Sequence, residues 1–221
     1  MAKQVEAMQT ELLEQQPSAR VAPLPAHDGV LSREQQYRAG AYGLLASLLA
    51  RPPDQTMLDW VSGFAAIDQN GGEMALSMSM LGLAASRCRP EAIKDEYHAL
   101  FIGLGRGELV PYGSWYLTGF LMERPLGRLR DDLAAMGLQR DPAVHEPEDH
   151  VAALCEVMRL LIGDAVDHDR QSRFFNAHLA GWSKRFFSDL SEAGAAVFYR
   201  AVGRFGVAYM ELESRYLAMQ V

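Results

Sequence analysis

This chain of 221 residues contains few cysteines, no long apolar run and little positive charge near its N-terminus. The two cysteines, Cys88 and Cys155, stand far apart and form no Cys-x-x-Cys pair, which excludes a disulfide-stapled domain and a cysteine-based zinc or iron–sulfur site. No stretch approaches the roughly 18 consecutive apolar residues of a membrane span. Residues 1–16 carry three Glu and four Gln instead of the basic start and apolar run of a secretory signal. We therefore expect a cytoplasmic protein without stable membrane insertion.

β-Branched residues are also few, and this fixes the expected fold class. Val, Ile and Thr together number 20, whereas Ala and Leu number 58. Ala and straight-chain residues favour helices, and β-branched residues favour strands. The composition predicts an all-α fold, and the apolar patterns along the chain predict a compact single-domain bundle of about nine or ten helices over residues 32–221. Residues 1–31 are predicted to be an N-terminal tail and linker, because Pro17, Pro23 and Pro25 lie there.

Local patterns predict where several helices begin and end. Ser32 with Gln35 forms a capping box, and Asp54 follows Pro52-Pro53 as the cap of the next helix. The remaining local predictions are a helix from Ser114 through Leu117, Phe120 and Leu121, a helix capped by Glu146 with Pro147 as its first residue, and one helix running from Phe174 to Phe186.

The negative charge is concentrated in one segment. The chain carries a net charge of −7, and residues 141–169 contain eight acids against one base, Arg159, whereas acids and bases balance elsewhere. A nucleic-acid-binding protein would show a basic stripe instead. The pattern argues against nucleic acid as a partner and predicts a cationic partner for this segment.

The cluster His145-Glu146-Pro147-Glu148-Asp149-His150 is the densest group of ionisable side chains. Imidazoles and carboxylates are zinc and di-metal ligands, so one alternative is a metal-dependent helical enzyme that uses this cluster. The spacing argues against it, because the zincin pattern places two histidines at i and i+4 on a formed helix. We predict no metal and no catalytic residue.

Aromatic residues gather at a predicted loop-to-helix junction, where Pro111, Tyr112, Trp115 and Tyr116 precede Phe120. Rings with polar groups at such junctions often serve recognition. An aromatic groove beside an acidic segment would suit a peptide that is both apolar and cationic.

Four segments in this order resemble the TorD/DmsD/NarJ-type chaperones that mature molybdenum oxidoreductases, with the TorD-like members most similar. They are Glu96-Tyr97-His98-Ala99-Leu100-Phe101-Ile102-Gly103, Pro111-Tyr112-Gly113-Ser114-Trp115-Tyr116, Glu146-Pro147-Glu148-Asp149-His150, and the Phe-Phe-x-x-His-Leu-x-x-Trp spacing of 174–182. The sequence departs from the family pattern at Leu104, which is often Pro, and at Gly113, which is often Glu.

The resemblance implies a chaperone that binds the twin-arginine signal peptide or the apo catalytic subunit of a molybdopterin oxidoreductase and supports cofactor insertion before export. It implies no cofactor beyond weak binding of guanine nucleotide, and formate dehydrogenase as the client. Arginine pairs well with carboxylates and stacks on aromatic rings, in agreement with this assignment. A structural helical subunit of an oxidoreductase complex is the other alternative, and both a monomer and a domain-swapped dimer stay open.

Two sets of residues follow from the motifs and the charge pattern. The set predicted to bind the client comprises Pro111, Tyr112, Ser114, Trp115, Tyr116, Glu146, Pro147, Glu148, Asp149 and His150. The set predicted to act structurally comprises Glu96, Tyr97, Leu100, Phe101, Gly103, His178 and Trp182.

Overall fold

Ten α-helices build the part of the chain that the computed structural model describes, which is residues 31–103, 106–141 and 144–219. They are α1 (Arg33–Ala50), α2 (Gln55–Ser62), α3 (Glu73–Ala85), α4 (Pro90–Tyr97), α5 (Gly113–Thr118), α6 (Arg124–Ala135), α7 (Val151–Gly163), α8 (His168–His178), α9 (Ser183–Glu192) and α10 (Phe198–Leu217). No strand occurs within these ranges, so the predicted all-α fold is confirmed. The tail predicted for 1–31 lies, apart from Leu31, outside the described residues, as do Leu104 and Gly105.

The predicted caps of the first two helices are confirmed. The Ser32 hydroxyl accepts a hydrogen bond from the Gln35 amide at 3.2 Å, and the Gln35 side chain accepts one from the Ser32 amide at 2.9 Å. The Asp54 carboxylate accepts from the Met57 amide at 2.9 Å. Both caps satisfy amides that have no partner inside the first turn of a helix.

The core lies where α1 packs along α7 and where α10 packs along α9 and against α3. Large buried side chains from these helices fill it, among them Tyr42, Leu48, Phe187, Phe205 and Tyr209. The rings of Tyr42 and Tyr209 meet edge to face with centroids 4.9 Å apart. None of the described helices is long and apolar enough to cross a membrane.

One buried ion pair ties α1 to α10. Arg38 on α1 donates to both carboxylate oxygens of Glu213 on α10, at 2.6 and 2.9 Å, and to the Gln171 side chain on α8 at 2.8 Å. Its guanidinium also lies 4.1 Å from the centre of the Tyr216 ring. Removing one partner would leave the other charge buried without compensation.

The helix predicted from Ser114 through Phe120 and Leu121 is wrong at its C-terminal end. α5 stops at Thr118, because Gly119 adopts a left-handed conformation with φ of 82°. The Thr118 hydroxyl donates to the Ser114 carbonyl at 2.8 Å and accepts from the Phe120 amide at 3.2 Å. Phe120 and Leu121 therefore lie in the connection to α6 instead of on a helix face.

The helix predicted to start at Pro147 is also wrong in its first turn. α7 begins at Val151, and its cap is His150 instead of Glu146, since the Nδ1 atom of His150 accepts from the Ala152 amide at 3.1 Å. Pro147 and Glu148 belong to the loop before this helix.

The single helix predicted from Phe174 to Phe186 is instead split into α8 and α9. In a continuous helix the His178 carbonyl would accept from the backbone amide of Trp182. Here the indole N–H of Trp182 donates to the His178 carbonyl at 2.7 Å, and the backbone amide of Trp182 donates to the Leu179 carbonyl at 3.1 Å. A side-chain donor therefore interrupts the helix where the apolar periodicity continues.

Candidate functional site

Two of the predicted client-binding segments meet directly, and we call residues 110–116 together with 146–151 the motif junction. The Gly113 amide donates to the Asp149 carbonyl at 2.9 Å, and the Val151 amide donates to the Pro111 carbonyl at 2.9 Å. Tyr112 and His150 form an antiparallel β-bridge between the segments. The sequence predicted both segments as functional, and the structure brings them together.

Asp149 lies inside this junction and not on its surface. It is 3% exposed, and one carboxylate oxygen accepts from the Ser114 amide at 2.7 Å, which caps the N-terminus of α5. Ser114 is fully buried beside it. Asp149 thus positions α5 and the aromatic residues that follow, as a buried carboxylate bonded to a backbone amide.

His150 caps the next helix and is buried as well, with 9% exposure. Burial lowers its pKa to about 4, even though the nearby carboxylates of Glu146 and Asp149 act to raise it. The ring is therefore neutral at physiological pH, as its Nδ1 acceptor role requires. Adjacent residues, Asp149 and His150, cap two different helices and so fix their relative position.

Tyr112 and Glu146 form the exposed edge of the motif junction. The Tyr112 hydroxyl donates to the Glu146 carboxylate, and the Tyr112 ring meets the His150 ring edge to face at 5.1 Å. Partial burial, with the bond and charge of Glu146, raises the pKa of Tyr112. Glu146 is exposed, so its carboxylate stays accessible from solvent.

Glu148, by contrast, is already paired with arginines from other parts of the chain. Arg130 on α6 donates to it at 2.8 Å, and Arg140 lies 3.5 Å away. Partial burial acts to raise the pKa of Glu148, but the bond from Arg130 and the charges of both arginines hold it below its ordinary value. Sequence reasoning did not identify either arginine, because no helical spacing connects Arg130 or Arg140 to Glu148.

Trp115 and Tyr116 are residues of α5, and the guanidinium group of an arginine lies over each of their rings. Arg106 lies 5.0 Å from the centre of the Trp115 ring, and Arg185 on α9 lies 5.7 Å from that of Tyr116. The Tyr116 hydroxyl donates to Asp189 at 2.9 Å. Both arginines and Asp189 were missed from the sequence, since no motif or periodicity marks them.

The first family segment contributes a helix cap. Glu96 accepts hydrogen bonds from three successive amides at the start of α10, those of Val197, Phe198 and Tyr199, at 2.7 to 3.0 Å. The Tyr97 hydroxyl donates to the Leu49 carbonyl at 3.1 Å. These bonds join α4 to α10 and α1.

The rest of that segment turns the chain towards the motif junction. Residues 98–102 form a π-helical turn that buries Leu100, while the Phe101 ring packs edge to face on Tyr199 at 5.5 Å. Gly103 ends the turn with φ of 60°, and a Cβ there would lie 2.2 Å from the Arg106 carbonyl. Only glycine fits this position without displacing the backbone.

The last family segment, residues 174–182, contacts α5 through the Trp182 ring. His178 contacts an Asp132 oxygen at 2.7 Å and is otherwise buried. The Trp182 ring packs on Tyr116 with centroids 5.5 Å apart, and a Cβ on Gly113 would lie 3.1 Å from the Trp182 indole nitrogen. A side chain at position 113 would therefore require the Trp182 indole to shift by a few tenths of an ångström, and glycine avoids that shift.

The donors of the 145–150 cluster do not converge. Among the described residues, no group of three or more His, Cys, Asp or Glu side chains is placed to hold a metal ion. In the Asp149–His150 region, where the resemblance implies weak guanine-nucleotide binding, both side chains are buried and each accepts a hydrogen bond from a backbone amide. Nucleotide binding there stays a prediction.

Comparison with known proteins confirms the resemblance stated from the motifs. A family model described as nitrate reductase delta subunit matches residues 69–188. Chaperone protein TorD of Aliivibrio salmonicida (strain LFI1238) is 26% identical over 210 residues, which cover 85% of this chain and 98% of that protein. TorD of Vibrio vulnificus (strain YJ016) is 26% identical over 202 residues, covering 81% and 94%.

A solved structure supports the fold. A redox enzyme maturation protein from Archaeoglobus fulgidus superposes with a TM-score of 0.53 at 18% identity, over 84% of this chain and 98% of that one. The family model alone spans more than half of the sequence. The chain belongs to the nitrate reductase delta subunit family, as a TorD-like chaperone and not an enzyme.

Proposed function

We propose that the protein works in the cytoplasm on the precursor of a molybdopterin oxidoreductase, with formate dehydrogenase as the first candidate client. It binds the twin-arginine leader or the apo catalytic subunit and holds the precursor until its cofactor has been inserted. The observation that carries this proposal is an exposed apolar surface next to the motif junction.

That surface, which we call the apolar loop, comprises Leu117 at the end of α5 and Phe120, Leu121 and Met122 in the connection to α6. Their exposed fractions are 45%, 67%, 48% and 73%. Met122 also adopts a left-handed backbone with φ of 59°, a conformation that costs a methionine about 1 kcal/mol. Contiguous exposed apolar side chains of this kind mark interaction surfaces. We infer that the apolar loop receives the apolar run of the leader.

The leader's two guanidinium groups need carboxylates close to the same surface. Glu146 is the accessible candidate, because its only described side-chain partner is the Tyr112 hydroxyl. Glu148 is the second, by exchange of Arg130 or Arg140 for a leader arginine in the same type of ion pair. Asp149 and His150 act through position, because they fix α5 beneath the apolar loop.

The test is calorimetric titration with synthetic leaders of the molybdopterin oxidoreductases that the host encodes. The F120S/M122S variant should lose at least about tenfold in affinity, since two apolar side chains no longer leave water on binding. L212S is the matched control, because Leu212 on α10 is 46% exposed but lies outside the apolar loop. Its affinity should equal that of the wild type.

Calorimetric titration with the precursor and with the mature enzyme separates a chaperone from a structural subunit. A chaperone should bind the precursor but not the mature, cofactor-loaded enzyme, whereas a structural subunit should bind both. Equal binding of precursor and mature enzyme would contradict the proposal, as would unchanged leader affinity in F120S/M122S.

A further inference from the structure

A cleft of about 460 Å³ lies beside the apolar loop and holds charges of both signs. Arg106, Glu108, Arg185 and Asp189 line it together with the rings of Trp115 and Tyr116. Leu117, a member of the apolar loop, lines it as well, so cleft and loop form one continuous surface.

The two arginines of this cleft have no carboxylate partner in the described part of the chain. Arg106 and Arg185 are exposed, and the contact found for each is with an aromatic ring, Trp115 and Tyr116 respectively. A guanidinium over the face of an aromatic ring keeps N–H donors that can reach a ligand.

The two carboxylates of the cleft, in contrast, are engaged within the protein. Glu108 accepts the Gly194 amide at 2.6 Å and the Ala195 amide at 3.0 Å. Asp189 accepts the Tyr116 hydroxyl at 2.9 Å. Both carboxylates thus already accept hydrogen bonds from the protein, whereas no hydrogen bond or ion pair is found for either arginine within the described part of the chain, although the formal charges of the cleft balance.

We propose that this cleft binds a segment of the client protein in which carboxylates alternate with apolar side chains. Each carboxylate would accept a forked pair of hydrogen bonds from Arg106 or Arg185, and the neighbouring apolar side chains would lie on Leu117 and the rest of the apolar loop. This rests on the proposed chaperone role. It adds a second recognition element, of opposite charge to the twin-arginine leader.

The test uses two short amidated probe peptides, one with Glu and Asp between Leu and Phe residues and the other with Gln and Asn in their place. The wild type should bind the acidic peptide about tenfold more tightly than the neutral one. The preference should shrink as sodium chloride is raised, because exposed ion pairs are screened. Calorimetry measures both affinities.

The variants R106Q and R185Q keep most of the side-chain length but lose the charge. Each should weaken binding of the acidic peptide by about threefold and leave binding of the neutral peptide unchanged, so that the double variant R106Q/R185Q loses the preference of about tenfold. R173Q is the matched control, since Arg173 is an exposed arginine on α8 outside the cleft, and it should bind both peptides as the wild type does. Circular dichroism and melting temperature establish that the variants fold.

The outcomes distinguish this inference from the proposed function. Equal affinity for the two peptides, no peptide binding at all, or an unchanged preference in R106Q/R185Q overturns the acidic-segment assignment, even when the leader still binds. If neither the leader nor the precursor binds, the chaperone role with this client class is overturned, even when the protein still prefers the acidic peptide. If R106Q/R185Q loses the preference for the acidic peptide but still binds the leader, the result supports both the acidic-segment assignment and the chaperone role.

Discussion

His150 couples the stability of the fold to pH in a direction that its surroundings determine. The ring is buried, caps α7 through Nδ1 and has a pKa of about 4, compared with an ordinary value of 6.5. Protonation would place a charge in a buried site and remove the acceptor of the Ala152 amide. The protonated form therefore favours the unfolded chain, and the stabilisation is complete above pH 6.5 and lost as the pH falls towards 4.

The magnitude follows from these two pKa values. Between pH 7.5 and pH 5 the unfolded imidazole takes up a proton almost completely, while the folded one stays mostly neutral. Linkage then gives a loss of about 2 kcal/mol in the free energy of unfolding from this single side chain. The carboxylates of Glu146 and Asp149 are the charged groups beside the ring, and their attraction for the imidazolium is already included in its lowered pKa.

Urea unfolding at pH 7.5 and pH 5, followed by circular dichroism, measures this loss against the variant H150N. Asparagine retains an N-cap acceptor but does not titrate, so the pH-dependent loss should be about 2 kcal/mol smaller in H150N than in the wild type. H145N is the control, because it makes the same substitution at a neighbouring histidine that is exposed to solvent. The same pH dependence in the wild type and H150N would refute the reasoning.

Two further predictions concern the contacts that hold the helices together. E96A removes the acceptor of three amides at the start of α10 and should lower the free energy of unfolding by about 2 kcal/mol, whereas E91A on the exposed side of α4 should change it by less than about 0.5 kcal/mol in urea titrations. R38M leaves Glu213 buried without its ion-pair partner and should cost about 3 kcal/mol, and R38M/E213L should recover most of that loss in thermal melts. A double variant as unstable as R38M would contradict the second prediction.

The fold was largely predictable, because local signals and tertiary packing agree over most of the chain. Ser32 and Asp54 cap helices through residues three positions away, so the pattern is complete within one turn. The predicted helix from Phe174 to Phe186 failed for the opposite reason. Its break depends on an indole donor, Trp182, that takes a backbone carbonyl, and apolar periodicity carries no information about such a bond.

The sequence singled out the members of the motif junction, but it did not indicate which of them are buried. Asp149 and His150 stood out in the sequence as a polar pair and were assigned to client binding together with exposed neighbours such as Glu146. Burial separates these residues into two groups, since Asp149 and His150 cap helices from within while Glu146 faces solvent. Composition and spacing do not report burial in a loop, where no periodicity distinguishes the inner from the outer side.

The acidic segment shows why charge along a sequence differs from charge on a surface. Glu148 meets Arg130 and Arg140 only after folding, so two bases from outside the acidic segment compensate part of its excess negative charge. Arg106 and Arg185 show the converse, because each lies in a balanced part of the sequence yet retains free donors in the cleft. The charge that a partner encounters is what remains after internal pairing, and at this cleft it selects for carboxylates.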